Sequence, residues 1–416
     1  MNVSKRTAAG VVASVAAAAL VFGTSVPASA ADSQLKIGAI MPLTGGLSFL
    51  VPPEIAGLHL AIDEINAAGG VLGKKVELAG ILDESDGDNP QVSQASAAKL
   101  LSQKVDLIIG AASSNRTKLI INKITGAKVV QISGSNTSVD LTAWKDGGYY
   151  FRTAPSDLLQ GRVLANQVLQ DGNSTVAVLY QDGAYGRGLK DQAVAILTKG
   201  KATATAIAYP EGETNFASYV DKALAGKPDA VVIIGYDESK KIIPALQAKS
   251  FNGGNIYLVD GNAVDYSKES YASYLNGAKA TIPGKALDAA FKAKLAASYK
   301  KYTSKELVDY TYGESIYDAV IIGALAAEAA KDATGPGIKS QLTEISKAGA
   351  GKVTVTSFAA GVKALKAGKK INYDGKTGAI EFDKNGDPTG AYIGIWRYNA
   401  SGTNKFVKTV LGSSVK

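Results

Sequence analysis

The chain has 416 residues, 46% of them hydrophobic and 20% charged, with a net charge of +8, one His and no Cys. Such a chain can bury a large core and is long enough for two domains; without thiols it has no disulfides, no thiol catalysis and no Fe–S or Cys-zinc sites. The positive charge sits on Lys scattered among acids, with neither a basic block nor interleaved Arg and aromatic residues, which argues against nucleic acid as a partner.

Residues 1–30 read as a cleaved export signal. Lys5 and Arg6 precede an apolar stretch from Val11 to Phe22, and Ala28-Ser29-Ala30 supplies the small residues a signal peptidase accepts. The apolar stretch is shorter than the roughly 20 residues that span a bilayer. The expected mature chain starts at Ala31 with a charge of +6, and without Cys it carries no lipidated cysteine anchor. The expected location is a periplasm or the cell exterior.

From Leu35 onward, short β-branched runs alternate with amphipathic stretches. LKIGAIMPL, VELAGILD, DLIIGA and VVQISG predict strands, and helices are expected to begin near Pro53, Pro90 and Ser114. In the first helix Ile55, Leu58, Ile62 and Ile65 recur at helical spacing, and Gly69-Gly70 ends it. This βαβ rhythm predicts a parallel sheet covered on both faces. After the extended segment Tyr149 to Asp157 a second series starts, with TVAVLYQD, TATAIAY, AVVIIGY and NIYLVDG as strands. Ala154-Pro155 is a candidate hinge, because Pro fixes its own φ and keeps its predecessor extended.

The last third offers helices over Lys285 to Tyr302 and Tyr312 to Ala330, and a hairpin of GAIEFD with AYIGIWRYN around Lys384 to Pro388. Helices without central strands of their own must pack on an existing sheet, so the chain is expected to return to the first lobe near Pro283. The expected organisation is α/β, two doubly wound parallel-sheet lobes joined by hinge crossovers. One lobe takes 31–154 plus 284–386, and the other 155–283 plus 387–416.

In open parallel sheets ligands sit beyond the carboxyl ends of the strands, near helix N-termini. At those ends stand Thr44, Gly45 and Gly46, then Ser113 and Ser114, then Ser135, Asn136 and Thr137. Their hydroxyls and N–H groups suit a carboxylate, although Ser and Thr also serve as ordinary helix caps. The second series places Tyr185, Tyr236 and Asp260 at its strand ends. A carboxylate there is costly unless paired, and a ligand ammonium would pair it; a turn cap with Gly261 and Asn262 is the other reading.

Enzyme readings lack material. His59, the sole His, borders the apolar face of the first helix; with no Cys and no second His, Ser-His-Asp catalysis and Cys/His metal sites cannot be built. GxGxxG and GxxxxGK[ST] are absent, so nucleotide binding is unsupported. Asp383, Asn385 and Asp387 superficially resemble a calcium loop, but Gly386 is misplaced and no acid closes it. No cofactor and no metal are expected. A secreted hydrolase using a Ser/Asp pair stays open and predicts turnover; a sensory module would need a tether that the chain does not show.

Four segments carry a family resemblance: IGAIMPLTGGLSFLVPPEIAGLHLAIDEINAAGGVLGKKVEL, GAASSNRT, ISGSNTSVDLT and QDGAYGRG. With the export signal they resemble the branched-chain amino-acid-binding proteins of ABC importers, INAAGG and the YG after the second-lobe strand being most specific. The resemblance implies the type I periplasmic-binding fold, two lobes closing by hinge motion over an amino acid, and a monomer that delivers its ligand to an ABC permease. It implies that Ser113, with its neighbour Ser114, Asn136 and Thr137, holds the α-carboxylate, that Asp260 takes the ammonium, and that Tyr185 and Tyr236 line the cleft. Phe49 and Leu50 would cover the side-chain pocket. The family's amine-binding acid is commonly Glu, one methylene longer than Asp260, and the disulfide of some members has no counterpart here. A short amide, urea or another small carboxylate is the alternative ligand class.

Overall fold

The structure is a computed structural model that describes residues 34–85 and 89–414; the expected export signal and part of the acidic loop after Glu84 lie outside the described residues. The first βα series folds as expected. β1 (Lys36–Met41), β2 (Glu77–Asp83), β3 (Leu107–Gly110), β4 (Val130–Ser133) and β5 (Tyr150–Arg152) form a sheet of order β2-β1-β3-β4-β5, parallel throughout. Its strands are apolar runs because helices cover both faces. Among these are α1 (Val51–Ala67), α2 (Gln91–Ser102) and α3 (Ser114–Gly126).

The second series builds β6 (Thr175–Gln181), β7 (Thr203–Tyr209), β8 (Ala230–Ile234), β9 (Ile256–Val259) and β10 (Lys279–Pro283), all mutually parallel. α4 (Asp157–Gln170), α5 (Ala184–Lys199), α6 (Ala217–Leu224) and α7 (Ser239–Ala248) accompany them. Two antiparallel strands, β13 (Tyr392–Tyr398) and β14 (Asn404–Leu411), complete a seven-stranded sheet of order β14-β13-β10-β9-β8-β6-β7.

Between β10 and β13 the chain works for the first lobe. α8 (Ala289–Thr303), α9 (Gly313–Ala330), α10 (Gly335–Ile345) and α11 (Phe358–Lys366) are joined by a small parallel pair, β11 (Lys352–Val355) and β12 (Lys370–Tyr373). Phe291, Ile316, Leu342, Phe358 and Ile371 share one apolar core with Ile37, Ile109 and Ile132 of the first sheet. The chain therefore passes between the sheets after β5, after β10 and before β13.

The expected hairpin is corrected. GAIEFD is not a strand; it makes only isolated bridges, Phe382 to Pro388 and Ala379 to Asp374, and buries Ile380 and Phe382 in the first-lobe core. AYIGIWRYN pairs instead with β10 and with β14, through a turn from Asn399 to Thr403.

The helix that carries much of this return, α9, lies hard against α1. A Cβ on Gly57 would come within 2.1 Å of the Gly313 carbonyl oxygen, so the crossing requires glycine. Gly57→Ala should push the helices apart and cost about 1–3 kcal/mol. Thermal melting of the variant checks this, and an unchanged midpoint would contradict it.

Candidate functional site

Asp260 follows β9 directly and is 5% exposed. Its Oδ1 accepts from Gln160 Nε2 at 2.7 Å and from the Tyr185 hydroxyl at 2.7 Å, while Oδ2 accepts from the Tyr312 hydroxyl at 2.7 Å. Gln160 and Tyr185 belong to α4 and α5 beside the second sheet, whereas Tyr312 caps α9 in the first lobe with φ of 65°. One carboxylate thus joins both lobes. Burial pushes Asp260 above the usual carboxylate range, against the pull of these three donors. Tyr185 and Tyr236 stack with ring centroids 5.4 Å apart. They leave no room beside them: a Cβ on Gly261 would lie 2.9 Å from the Tyr236 ring and 3.2 Å from that of Tyr185.

Opposite stand the strand ends of the first sheet. Leu47, Leu50, Ala112, Ser114, Ser135 and Thr137 face Tyr185, Tyr236, Asp260 and Tyr312 across a small cavity. Of the residues expected from sequence, the structure brings together Leu50, Ser114, Thr137, Tyr185, Tyr236 and Asp260.

Three others do not line that cavity. The Ser113 side chain caps α3, accepting from the Arg116 N–H, and its own N–H, like that of Ala112, donates to the Glu84 carboxylate at 2.9 and 2.7 Å. A fully buried acid of this chain thus sits on the N-terminus of α3, where the dipole favours it. Asn136 points into the protein: Nδ2 donates to the Ala111 carbonyl and to Thr117 Oγ1, and Oδ1 accepts from the Tyr150 hydroxyl. Phe49 packs on the apolar cores of the second lobe. His59 stacks on Tyr302 at 3.7 Å between ring centroids.

Further contacts hold the lobes together across the same cleft. The Asn115 side chain accepts from the Ala184 N–H at 2.6 Å and donates to Gln181 Oε1 at 3.3 Å. The Ser138 hydroxyl donates to the Ala184 carbonyl at 2.8 Å, and Arg116 pairs with Glu211. These bonds and the Tyr312 to Asp260 link describe a closed arrangement.

The cleft is bordered by buried acids that the sequence reading left aside. Asp157 opens α4; neither of its oxygens makes a hydrogen bond of good geometry. Burial and the charge of Asp260 push it well above the ordinary range, against a weaker pull from the Thr137 hydroxyl. Glu54 receives the Ser135 hydroxyl at 2.7 Å, and its burial raises it from 4.5 to about 8. Between these two values the folded state holds a proton that the unfolded state releases, so this group makes stability fall as pH rises. Against the parent, Glu54→Gln should therefore gain up to about 1.4 kcal/mol per pH unit through this window. Urea unfolding of both proteins across the window measures it; parallel pH profiles would refute the assignment.

Among the described residues no cluster of three or more His, Asp or Glu could hold a metal ion, and no helix is long and apolar enough to cross a membrane.

Comparison with known proteins agrees with this architecture. The family profile described as "Periplasmic binding protein" matches residues 34–387. The chain is 28% identical over 373 residues to the chemotactic signal transduction system substrate-binding protein BasB of Halobacterium salinarum, covering 87% of each chain. It is 26% identical to Leu/Ile/Val-binding protein homolog 3 of Brucella melitensis, over 89% of this chain and 93% of that one. Among solved structures it superposes on the branched-chain amino acid transporter substrate-binding protein LivJ of Streptococcus pneumoniae, in complex with isoleucine, with a TM-score of 0.70 and 25% identity. That match covers 90% of this chain and 100% of the other. The leucine-binding protein LivK of Thermotoga maritima shares the fold with a TM-score of 0.75 at 22% identity, over 91% and 99% of the two chains. These relatives are binding proteins rather than enzymes, and the family's place is outside the cytoplasm. With its two α/β lobes, the cleft between them and a family match across most of its length, the chain belongs to the periplasmic binding protein family, as a solute-binding protein.

Proposed function

We propose that this protein binds an amino acid with an apolar side chain, branched-chain ligands foremost, between its lobes and presents the closed form to an ABC permease. The observation that carries this reading is Asp260: a buried carboxylate in the cleft whose hydrogen-bond partners, Gln160, Tyr185 and Tyr312, are all neutral. A buried charge without a counter-charge is expensive, and a ligand ammonium supplies one. Asp157 adds a second acid beside it. The Ser114 and Thr137 hydroxyls on the facing lobe suit the ligand carboxylate, and Leu47 and Leu50 suit an apolar side chain. The names of the relatives, Leu/Ile/Val-binding among them, point to the same ligand class.

The rest of the reading follows from closure. The lobes, bounded near residues 154, 283 and 386, swing on their crossovers; removal of the signal at Ala30 leaves a free monomer outside the cytoplasm, and the permease reads the closed form. Calorimetry with leucine, isoleucine, valine and alanine should show saturable binding, and their des-amino analogues should bind far more weakly. Small-angle scattering should show a smaller radius of gyration with ligand. Binding of des-amino or amide compounds alone would replace the ligand class, and an unchanged radius at saturation would exclude hinge closure.

A further inference from the structure

A second cavity, of about 330 Å³, lies between the lobes on the other side of Tyr312, which borders both spaces. It is much roomier than the Asp260 cleft. The second lobe contributes Ile282 and Trp396, the first lobe contributes Tyr310 and Glu314, and the segment after β10 passes along its wall. Glu314 is 5% exposed, and its Oε2 has no hydrogen-bond partner although it is buried. The Glu314 carboxyl group thus borders the cavity while almost wholly withdrawn from water, a setting in which an ammonium makes a strong charge-assisted partner.

We propose that this cavity is a second binding site, for a small primary amine with an apolar body, its ammonium on Glu314 and its body against Trp396 and Ile282. The chemistry of the wall selects that class. An ammonium supplies a charge-assisted hydrogen bond to the carboxyl group and a counter-charge to the acid. Aromatic faces tolerate a cation and an apolar chain alike, and the Lys292 ammonium already lies 5.4 Å from the centroid of Tyr310 in the same cavity. Neither Lys292 nor Lys285, both on the wall, is hydrogen-bonded to Glu314 in the described structure.

Protonation of Glu314 gives the site a distinct signature. Burial raises this group from 4.5 to about 8, helped by Asp318 on its own helix and Asp309 in the preceding loop and opposed by Lys292 of α8. Asp265 and Lys285 complete the charged groups around the cavity. At pH 7 the carboxyl holds its proton, so an arriving ammonium displaces it and binding releases a proton.

The probe is leucinamide, which has the amine and apolar body of leucine without its carboxylate. Calorimetry on the mature protein at pH 7, in buffers of different ionisation enthalpy, should give saturable binding with proton release. Glu314→Gln should weaken it about tenfold or more, the loss of a hydrogen bond to a charged group. The chain has two Trp residues, so in a 15N spectrum of the parent protein the Trp396 indole resonance should shift with leucinamide and that of Trp144 should not. This readout stands even if Glu314→Gln fails to fold. Absence of saturable binding, an unmoved Trp396 resonance, or undiminished binding in Glu314→Gln would each overturn the proposal. The first-cleft reading is tested separately by leucine on Asp260→Asn, so the two can fail independently.

Discussion

Asp260→Asn should cost an amino-acid ligand about 2 to 5 kcal/mol of affinity, the penalty for truncating one partner of a desolvated, hydrogen-bonded charge pair. The shape of the site barely changes. Gln160 and Tyr185 can still donate to the remaining carbonyl oxygen, and the Tyr312 hydroxyl, which donates to Oδ2 in the parent, can turn to accept from the new amide. Stability without ligand should not fall, because the substitution removes a buried charge and its repulsion of Asp157. Calorimetry with leucine beside thermal melting separates the two effects. Leucine bound as tightly as by the parent would show that the ammonium lies elsewhere, and a variant that melts much earlier would make Asp260 a structural residue.

The sequence exposed more of the scaffold than of the site. The strand segments LIIG and AVVII, within DLIIGA and AVVIIGY, carry no polar side chain because both faces of their strands are covered, and they fold as β3 and β8. Alternation proved less informative: GAIEFD buries Ile380 and Phe382 without joining a sheet, since an apolar pattern reports what is buried and not what is paired. At the cavity between the lobes, strand-end logic singled out Asp260, Tyr185 and Thr137, which border it, yet it could not distinguish Ser113 from Ser114. Capping geometry separates their positions: the Ser113 side chain turns back on its own helix, and Ser114 borders the cavity. Tyr312 and Gln160 reach Asp260 from 52 and 100 positions away in the chain. Tyr312 does so from a left-handed backbone position at the start of α9 that no local pattern announces. Glu314 gave no signal either, because an acid in the first helical turn reads as an ordinary complement to the dipole.

A large loss of stability is expected at the crossovers, from Asp387→Ala. Arg152, at the end of β5 where the chain first leaves the first sheet, is fully buried, and its Nε and one terminal nitrogen donate to Asp387 at 2.6 and 2.8 Å. The guanidinium also donates to the Ser138 carbonyl at 2.9 Å and to Thr142 Oγ1 at 2.7 Å. Asp387 lies just before β13, so this ion pair ties the first passage between the sheets to the last. Removing the carboxylate strands a cation in the interior, which costs about 3 to 5 kcal/mol. The urea midpoint should drop with the slope unchanged, and high salt should not reproduce the effect, because a pair shielded from solvent is poorly screened. Arg152→Met combined with Asp387→Leu should recover much of the loss, since an apolar pair carries no stranded charge. If Asp387→Ala costs less than about 1 kcal/mol, within the range of an exposed pair, the clamp does not hold the crossovers. If the double substitution is as unstable as the single one, the geometry of the other Arg152 bonds, and not charge compensation, sets the stability of the hinge.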